Sequence, residues 1–125
     1  MATLELTADN FNDTVAHHPI VFLDFWAAWC GPCRNFAPTY EAAAEANPDI
    51  VFGKVDTEAQ QDLAAAFQIR SIPTIAVIRE GVMVFRESGA LPANALNQVI
   101  EGVRDNPVGE VNLNDTRMSQ LGASV

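Results

Sequence analysis

An α/β fold, with a central mixed sheet of about five strands flanked by four helices, is predicted by three observations. Short apolar runs alternate with segments of helical period along the 125-residue chain. One run, Ile20-Val21-Phe22-Leu23-Asp24-Phe25-Trp26, is apolar at both parities, the pattern of a central strand buried on both faces. Two later apolar runs flank the tight turn Arg79-Glu80-Gly81 and read as an antiparallel hairpin that closes the alternating pattern.

The first strand is the alternating segment 4–6. Thr7 or Asp9 is placed to cap a helix running to about residue 17, with Phe11 and Val15 at i, i+4 on its inner face. Pro19 closes it, and the strand 20–26 follows. The next helix spans about 32–46 and is rich in alanine; Pro38 inside it is expected to kink it. Asn47-Pro48-Asp49 turns the chain into a strand at 50–55. Residues 60–67 form a short helix, with Leu63, Ala64 and Phe67 at helical spacing. Pro73 precedes the strand 74–78, and the hairpin returns as 82–86. Ser88-Gly89-Ala90 bends into Leu91-Pro92 and a final helix ending near residue 104, with Leu96, Val99, Ile100 and Val103 inward. Residues 106–125 keep no period and contain Pro107, Gly109 and Gly122. The expected organisation is one domain over 1–105 and a tail over 106–125, either flexible or loosely docked through Val108, Val111 and Leu113.

Composition narrows the function classes. Apolar residues make up 49% and charged residues 18%, the balance of a chain that buries a core. A net charge of −9, with Lys54 the single lysine, argues against nonspecific nucleic-acid binding or docking on an anionic membrane. No run approaches the ~20 apolar residues of a membrane span. Met1-Ala2-Thr3-Leu4-Glu5-Leu6 lacks the basic-then-apolar pattern of a signal peptide, so a cytoplasmic protein is expected, and a monomer.

The chemistry concentrates in Phe25-Trp26-Ala27-Ala28-Trp29-Cys30-Gly31-Pro32-Cys33-Arg34, which holds both cysteines and both tryptophans. It lies where a strand hands over to a helix. A helix start offers unpaired N–H groups and partial positive charge, which stabilise a thiolate at Cys30. Pro32 falls in the first turn, where its missing N–H costs nothing. Cys30 and Cys33 share a helix face, with Cβ atoms roughly 5–6 Å apart in a regular helix. Local adjustment brings them to the about 3.5–4.5 Å that a disulfide needs. As a zinc site the pair lacks partners, since only His17 and His18 remain, so no metal is expected. As a staple it would close too short a loop to stabilise much. Redox exchange is the reading, with the first thiol, Cys30, exposed and attacking, and Cys33 resolving the mixed disulfide. Asp24 is the other unusual residue: a carboxylate in a strand buried on both faces has its pKa raised, unless it merely reaches water at an edge.

These residues resemble the thioredoxin family. The resemblance rests on Asp24-Phe25-Trp26-Ala27 with Trp29-Cys30-Gly31-Pro32-Cys33, then Pro38, Lys54, Asp56, Ile72-Pro73-Thr74, Gly81 and Gly89, and covers about residues 3–105. The stretches 53–58 and 70–75 look most like the second bacterial type, whose N-terminal zinc module with further cysteines is not implied here. The resemblance implies the thioredoxin fold and a protein-disulfide reductase. It implies no bound cofactor beyond the Cys30–Cys33 disulfide, and re-reduction by an NADPH-dependent flavoprotein reductase as part of electron transport and cell redox homeostasis. It implies that Asp24 moves protons for Cys33, with Lys54 as its charge partner, although Lys54 also suits an ordinary solvated lysine. It implies a cis Ile72–Pro73 bond facing the disulfide, where composition alone reads Pro73 as a strand-start proline. Trp29, Gly31, Pro32, Ile72 and Pro73, with Gly89 and Ala90, are then the substrate-docking surface. Trp26 reads as core packing. Arg34 either keeps a cation near the active helix or faces solvent. The rival function is a binding or chaperone module on the same fold.

Overall fold

The computed structural model describes residues 2–105. The expected tail, 106–125, lies outside the described residues. The elements are β1 (Leu4–Glu5), α1 (Phe11–His17), β2 (Ile20–Trp26), α2 (Gly31–Ala46), β3 (Val51–Asp56), α3 (Gln61–Ala66), β4 (Thr74–Arg79), β5 (Val82–Ser88) and α4 (Ala93–Asp105). All nine fall where the patterning places them, with ends shifted by a residue or two. The five strands form one sheet in the order β1-β3-β2-β4-β5. β1 and β2 run parallel to β3, while β4 runs antiparallel to β2 and to β5, so the sheet is mixed.

β2 is central, and its two parities feed two cores. Phe22 joins Phe52, Ile75 and Val77 under α2 and α4, which contribute Phe36, Tyr40, Leu96, Ile100 and Val103. Val21, Leu23 and Phe25 face the other way, with Leu6 and Val55, and Phe11, Val15, Leu63 and Phe67 of the α1 and α3 region cover them. Burying large side chains on both faces, at about 1.5–3 kcal/mol each, is what holds a sheet between two helical layers. Tyr40 lies edge-on to Phe52 at 5.4 Å and donates its hydroxyl to the Gly53 carbonyl at 2.8 Å. Gly53 is required by a close approach: a Cβ there would overlap the Leu6 side chain, which fills the space between β1 and β3.

One local expectation changes. The residue capping α1 is Asn10, not Thr7 or Asp9. The Thr7 hydroxyl accepts from the Asp9 N–H at 3.2 Å and the Asn10 amide oxygen from the Thr7 N–H at 2.7 Å, so these side chains hold the turn before the helix. That turn competes for the same polar groups that a cap would use. α2 runs on through Pro38 from Gly31 to Ala46. The hairpin closes at Glu80 (φ 52°) and Gly81 (φ 83°), the left-handed pair of a two-residue turn whose twist matches the flanking strands.

Candidate active site

The parallel β2–β3 pair ends at Trp26 and Asp56, and the chain leaves β2 through Ala27, Ala28 and Trp29 into α2. Cys30 is the N-cap of α2, in extended conformation at φ −87° and ψ 110°. Its sulfur accepts from the Cys33 N–H at 3.2 Å, the bond by which a cap satisfies an orphan donor of the first turn. Gly31 and Pro32 fill the first two helical positions. Cys30 and Cys33 are joined as a disulfide, with Cα atoms 5.2 Å apart.

The expectation that Cys30 is the exposed thiol does not hold: Cys30 is 4% and Cys33 3% exposed. Ala27, Trp26 and Ile72 pack around both. What distinguishes them is position. Cys30 stands at the cap and faces the Ile72 carbonyl oxygen at 3.8 Å, whereas Cys33 lies within the first turn. The Ile72–Pro73 peptide bond is cis. Pro73 is buried, and its carbonyl accepts from the Gly89 N–H at 2.8 Å, which brings the exposed Gly89 and Ala90 alongside that loop. Trp29 is 67% exposed and donates its indole N–H to a Glu58 carboxylate oxygen at 3.0 Å. The loop before Cys30 is also tied by Arg34, which donates to the Ala28 carbonyl at 2.9 Å rather than pointing only to solvent.

On β2, Asp24 is 1% exposed. Its Oδ1 has no hydrogen-bond partner among the described residues. Burial pushes its pKa up to about 7, against the opposing pull of Lys54. Lys54 stands opposite Asp24 in the β2–β3 register, but its ammonium sits over the Trp26 ring, 4.9 Å from the centroid. Lys54 therefore acts on Asp24 through space, and Trp26 does more than fill core. Tyr40 is buried nearby, and desolvation together with the Asp24 charge raises its pKa. The sequence reading passed over Tyr40 and Glu58. Phe36 and Tyr40 at i, i+4 signal an inward face, but nothing local to either residue names its hydrogen-bond partner.

Among the described residues no group of three or more His, Cys, Asp and Glu is placed to hold a metal ion. No described helix is long and apolar enough to cross a membrane. The arrangement is a disulfide at a helix start, packed against Trp26, Ala27 and Ile72, with a buried carboxyl on the strand that leads into it. Comparison with known proteins assigns it: the thioredoxin family model matches residues 2–102. The chain belongs to the thioredoxin family. A protein described as "Putative thioredoxin 2" from Streptomyces coelicolor is 58% identical over 110 residues, covering 88% of this chain and 82% of that one. Thioredoxin C-3 of Corynebacterium nephridii is 42% identical over 99 residues, covering 78% and 68%. Among solved structures, Plasmodium falciparum thioredoxin superposes with a TM-score of 0.75 at 34% identity, covering 80% of this chain and 98% of that one. The five-stranded mixed sheet with four helices is the thioredoxin fold. With its Cys30–Cys33 pair, the chain is a thiol–disulfide oxidoreductase of the protein-disulfide-reducing kind, and its redox group is that disulfide. Family and disulfide together favour catalysis over the binding-module reading.

Proposed function

We propose that this thioredoxin-family protein is a cytoplasmic, monomeric reductant of protein disulfides, recharged by an NADPH-dependent flavoprotein reductase. In the dithiol form the Cys30 thiolate attacks one sulfur of a substrate disulfide. A Cys30–substrate bond forms as the substrate S–S bond breaks, and the first substrate thiolate leaves and takes a proton. Cys33 then loses its proton and attacks the Cys30 sulfur. The mixed disulfide breaks, the second substrate thiolate leaves, and Cys30–Cys33 is oxidised by two electrons. The observation that carries these roles is the N-cap position of Cys30, where the Cys33 N–H and the helix start stabilise its sulfur as a thiolate.

Asp24 is the acceptor for the Cys33 proton. A carboxyl with a pKa of about 7 is suited to take a proton and return it near neutrality. Lys54 moderates that value. Trp29, Gly31, Pro32, Ile72 and Pro73, with Gly89 and Ala90, form the docking surface, and the Ile72 backbone is available to an extended substrate segment. The Gly31-Pro32 pair adds no charge beside Cys30, so the thiolate is activated only moderately and the dithiol remains a good donor.

Reduction of a protein disulfide coupled to the reductase tests the activity, and trapping tests the roles. Cys30→Ser should abolish turnover, while Cys33→Ser should still attack and accumulate mixed disulfides. Equal trapping by both variants would overturn the assignment. In glutathione buffers at an oxidising, secretory-compartment poise the pair should be oxidised; a pair that stayed reduced would make the protein an oxidant instead.

A further inference from the structure

We propose that the groove beside the redox pair selects protein disulfides that carry a carboxylate near the attacked cysteine, and that Arg70 is the residue that reads it. This rests on the reductase reading above and specifies its substrate class. The groove has a volume of about 490 Å³. Trp29 and Ile72, both beside the disulfide, line it together with Ala64, Ala65, Ile69 and Arg70. The small and aliphatic residues leave room for an apolar side chain. Arg70 places a guanidinium on the same groove.

Arg70 is available where the other arginines are not. Arg34 donates to the Ala28 carbonyl, Arg79 to the Val103 carbonyl, Arg86 to the Phe67 and Gln68 carbonyls, and Arg104 to Asp49. Among the described residues Arg70 is the one arginine with no hydrogen bond or ion pair, and it is exposed. Glu58 is engaged with the Trp29 indole N–H and does not line the groove. Arg70 is also carried on a braced segment. The Gln68 and Ile69 N–H groups donate to Ala65 and Ala64 at 2.9 and 3.1 Å, and the Thr74 hydroxyl donates to the Ser71 carbonyl at 2.6 Å. Arg86 holds the two carbonyls just before Ile69. Fixing the backbone beforehand lowers the ordering cost of docking.

The guanidinium fork matches a carboxylate with two parallel hydrogen bonds. Its reach fixes where that carboxylate sits. Ile72, whose carbonyl faces the Cys30 sulfur at 3.8 Å, is two residues from Arg70. Two residues of chain span at most about 7 Å, so a carboxylate about two or three residues from the attacked cysteine is within reach of the Arg70 side chain. With a chain charge of −9, an acidic segment is repelled at long range, and an unpaired local cation gives it a place to dock.

The test uses the full chain and pairs of disulfide peptides identical but for Glu or Gln two residues from the cysteine, on either side. Kinetics are measured at about 0.15 M salt, where charges beyond about 8 Å are screened. The wild-type protein should favour the Glu peptide in kcat/KM by about three- to fivefold, the range of an exposed ion pair. Arg70→Gln should bring the ratio to one, Arg70→Glu should invert it, and Arg70→Lys should restore part of it. A wild-type ratio of one, or a preference that survives Arg70→Glu, overturns the proposal and leaves the reductase reading standing. Failure to reduce any of the peptides overturns both.

Discussion

Asp24 shows how far one residue's environment reaches into stability and rate. Its carboxyl rises from 3.8 to about 7 because burial disfavours the charge. Between those values the folded protein holds a proton that the unfolded chain has released. Stability therefore falls as pH rises across the window, and above about 7 both states are ionised and the loss is complete. At about 1.4 kcal/mol per pKa unit the loss is on the order of 4 kcal/mol. Asp24→Asn removes the ionisation but keeps a buried polar group, so it should stabilise the fold at pH 8 by about 1–4 kcal/mol and change little at pH 4. Urea midpoints at the two pH values check this. A gap that is the same at both, or a lowered midpoint at pH 8, would contradict it. The same titration predicts that resolution of the mixed disulfide speeds up through about pH 7 in the wild-type protein. Asp24→Asn should be slower and lack that inflection, read from the decay of a preformed Cys30 mixed disulfide.

At the level of elements, β3 is constrained closely where it passes β1. A Cβ on Gly53 would overlap Leu6, which is fully buried, and would lie 3.3 Å from the Phe22 carbonyl oxygen. Gly53→Ala should cost about 1–3 kcal/mol, the range for overpacking, by forcing β1 away from β3. An unchanged urea midpoint would show that Leu6 shifts freely. That constraint was invisible in the sequence, where Gly53 is simply a glycine in an apolar run. The run 20–26 was legible because apolarity at both parities has only one economical explanation, burial on both faces. The inward stripe of Leu96, Val99, Ile100 and Val103 was legible because helical period is local, and Leu96, Ile100 and Val103 are buried as it requires. The cap of α1 was not, because Thr7, Asp9 and Asn10 all offer a suitable oxygen and the turn geometry decides between them. Nor were the Trp29–Glu58 and Tyr40–Gly53 bonds, which join residues 29 and 13 positions apart. The burial of Cys30 was missed for a related reason. A helix start predicts a thiolate site, but the cover over it comes from Ile72 on a distant loop.

The whole molecule divides by what the site needs. Every candidate site residue, from Asp24 to Ala90, lies within the described 2–105, where three hydrophobic clusters pack around the sheet and the disulfide. The family model matches 2–102. α4 supplies Leu96, Ile100 and Val103 to the core and ties back to the α2–β3 turn through Arg104, which donates to Asp49 at 2.6 and 2.9 Å and to Asn47 at 2.8 Å. A cut before Arg104 would break that tie and expose the end of α4, whereas a cut after residue 105 spares both. Truncation to 1–105 removes two acids, Glu110 and Asp115, and one base, Arg117, so the large negative charge that favours solubility remains. The truncated chain should therefore keep the kcat/KM of the full chain for a disulfide peptide within about twofold and lose no more than about 0.5 kcal/mol of stability, the scale of a change away from any core or cap. Val108, Val111 and Leu113 are the apolar residues able to make the outcome different. A clear fall in activity, or a urea midpoint that drops in the truncated chain and returns when 106–113 is restored, would show that they dock and belong to the working domain.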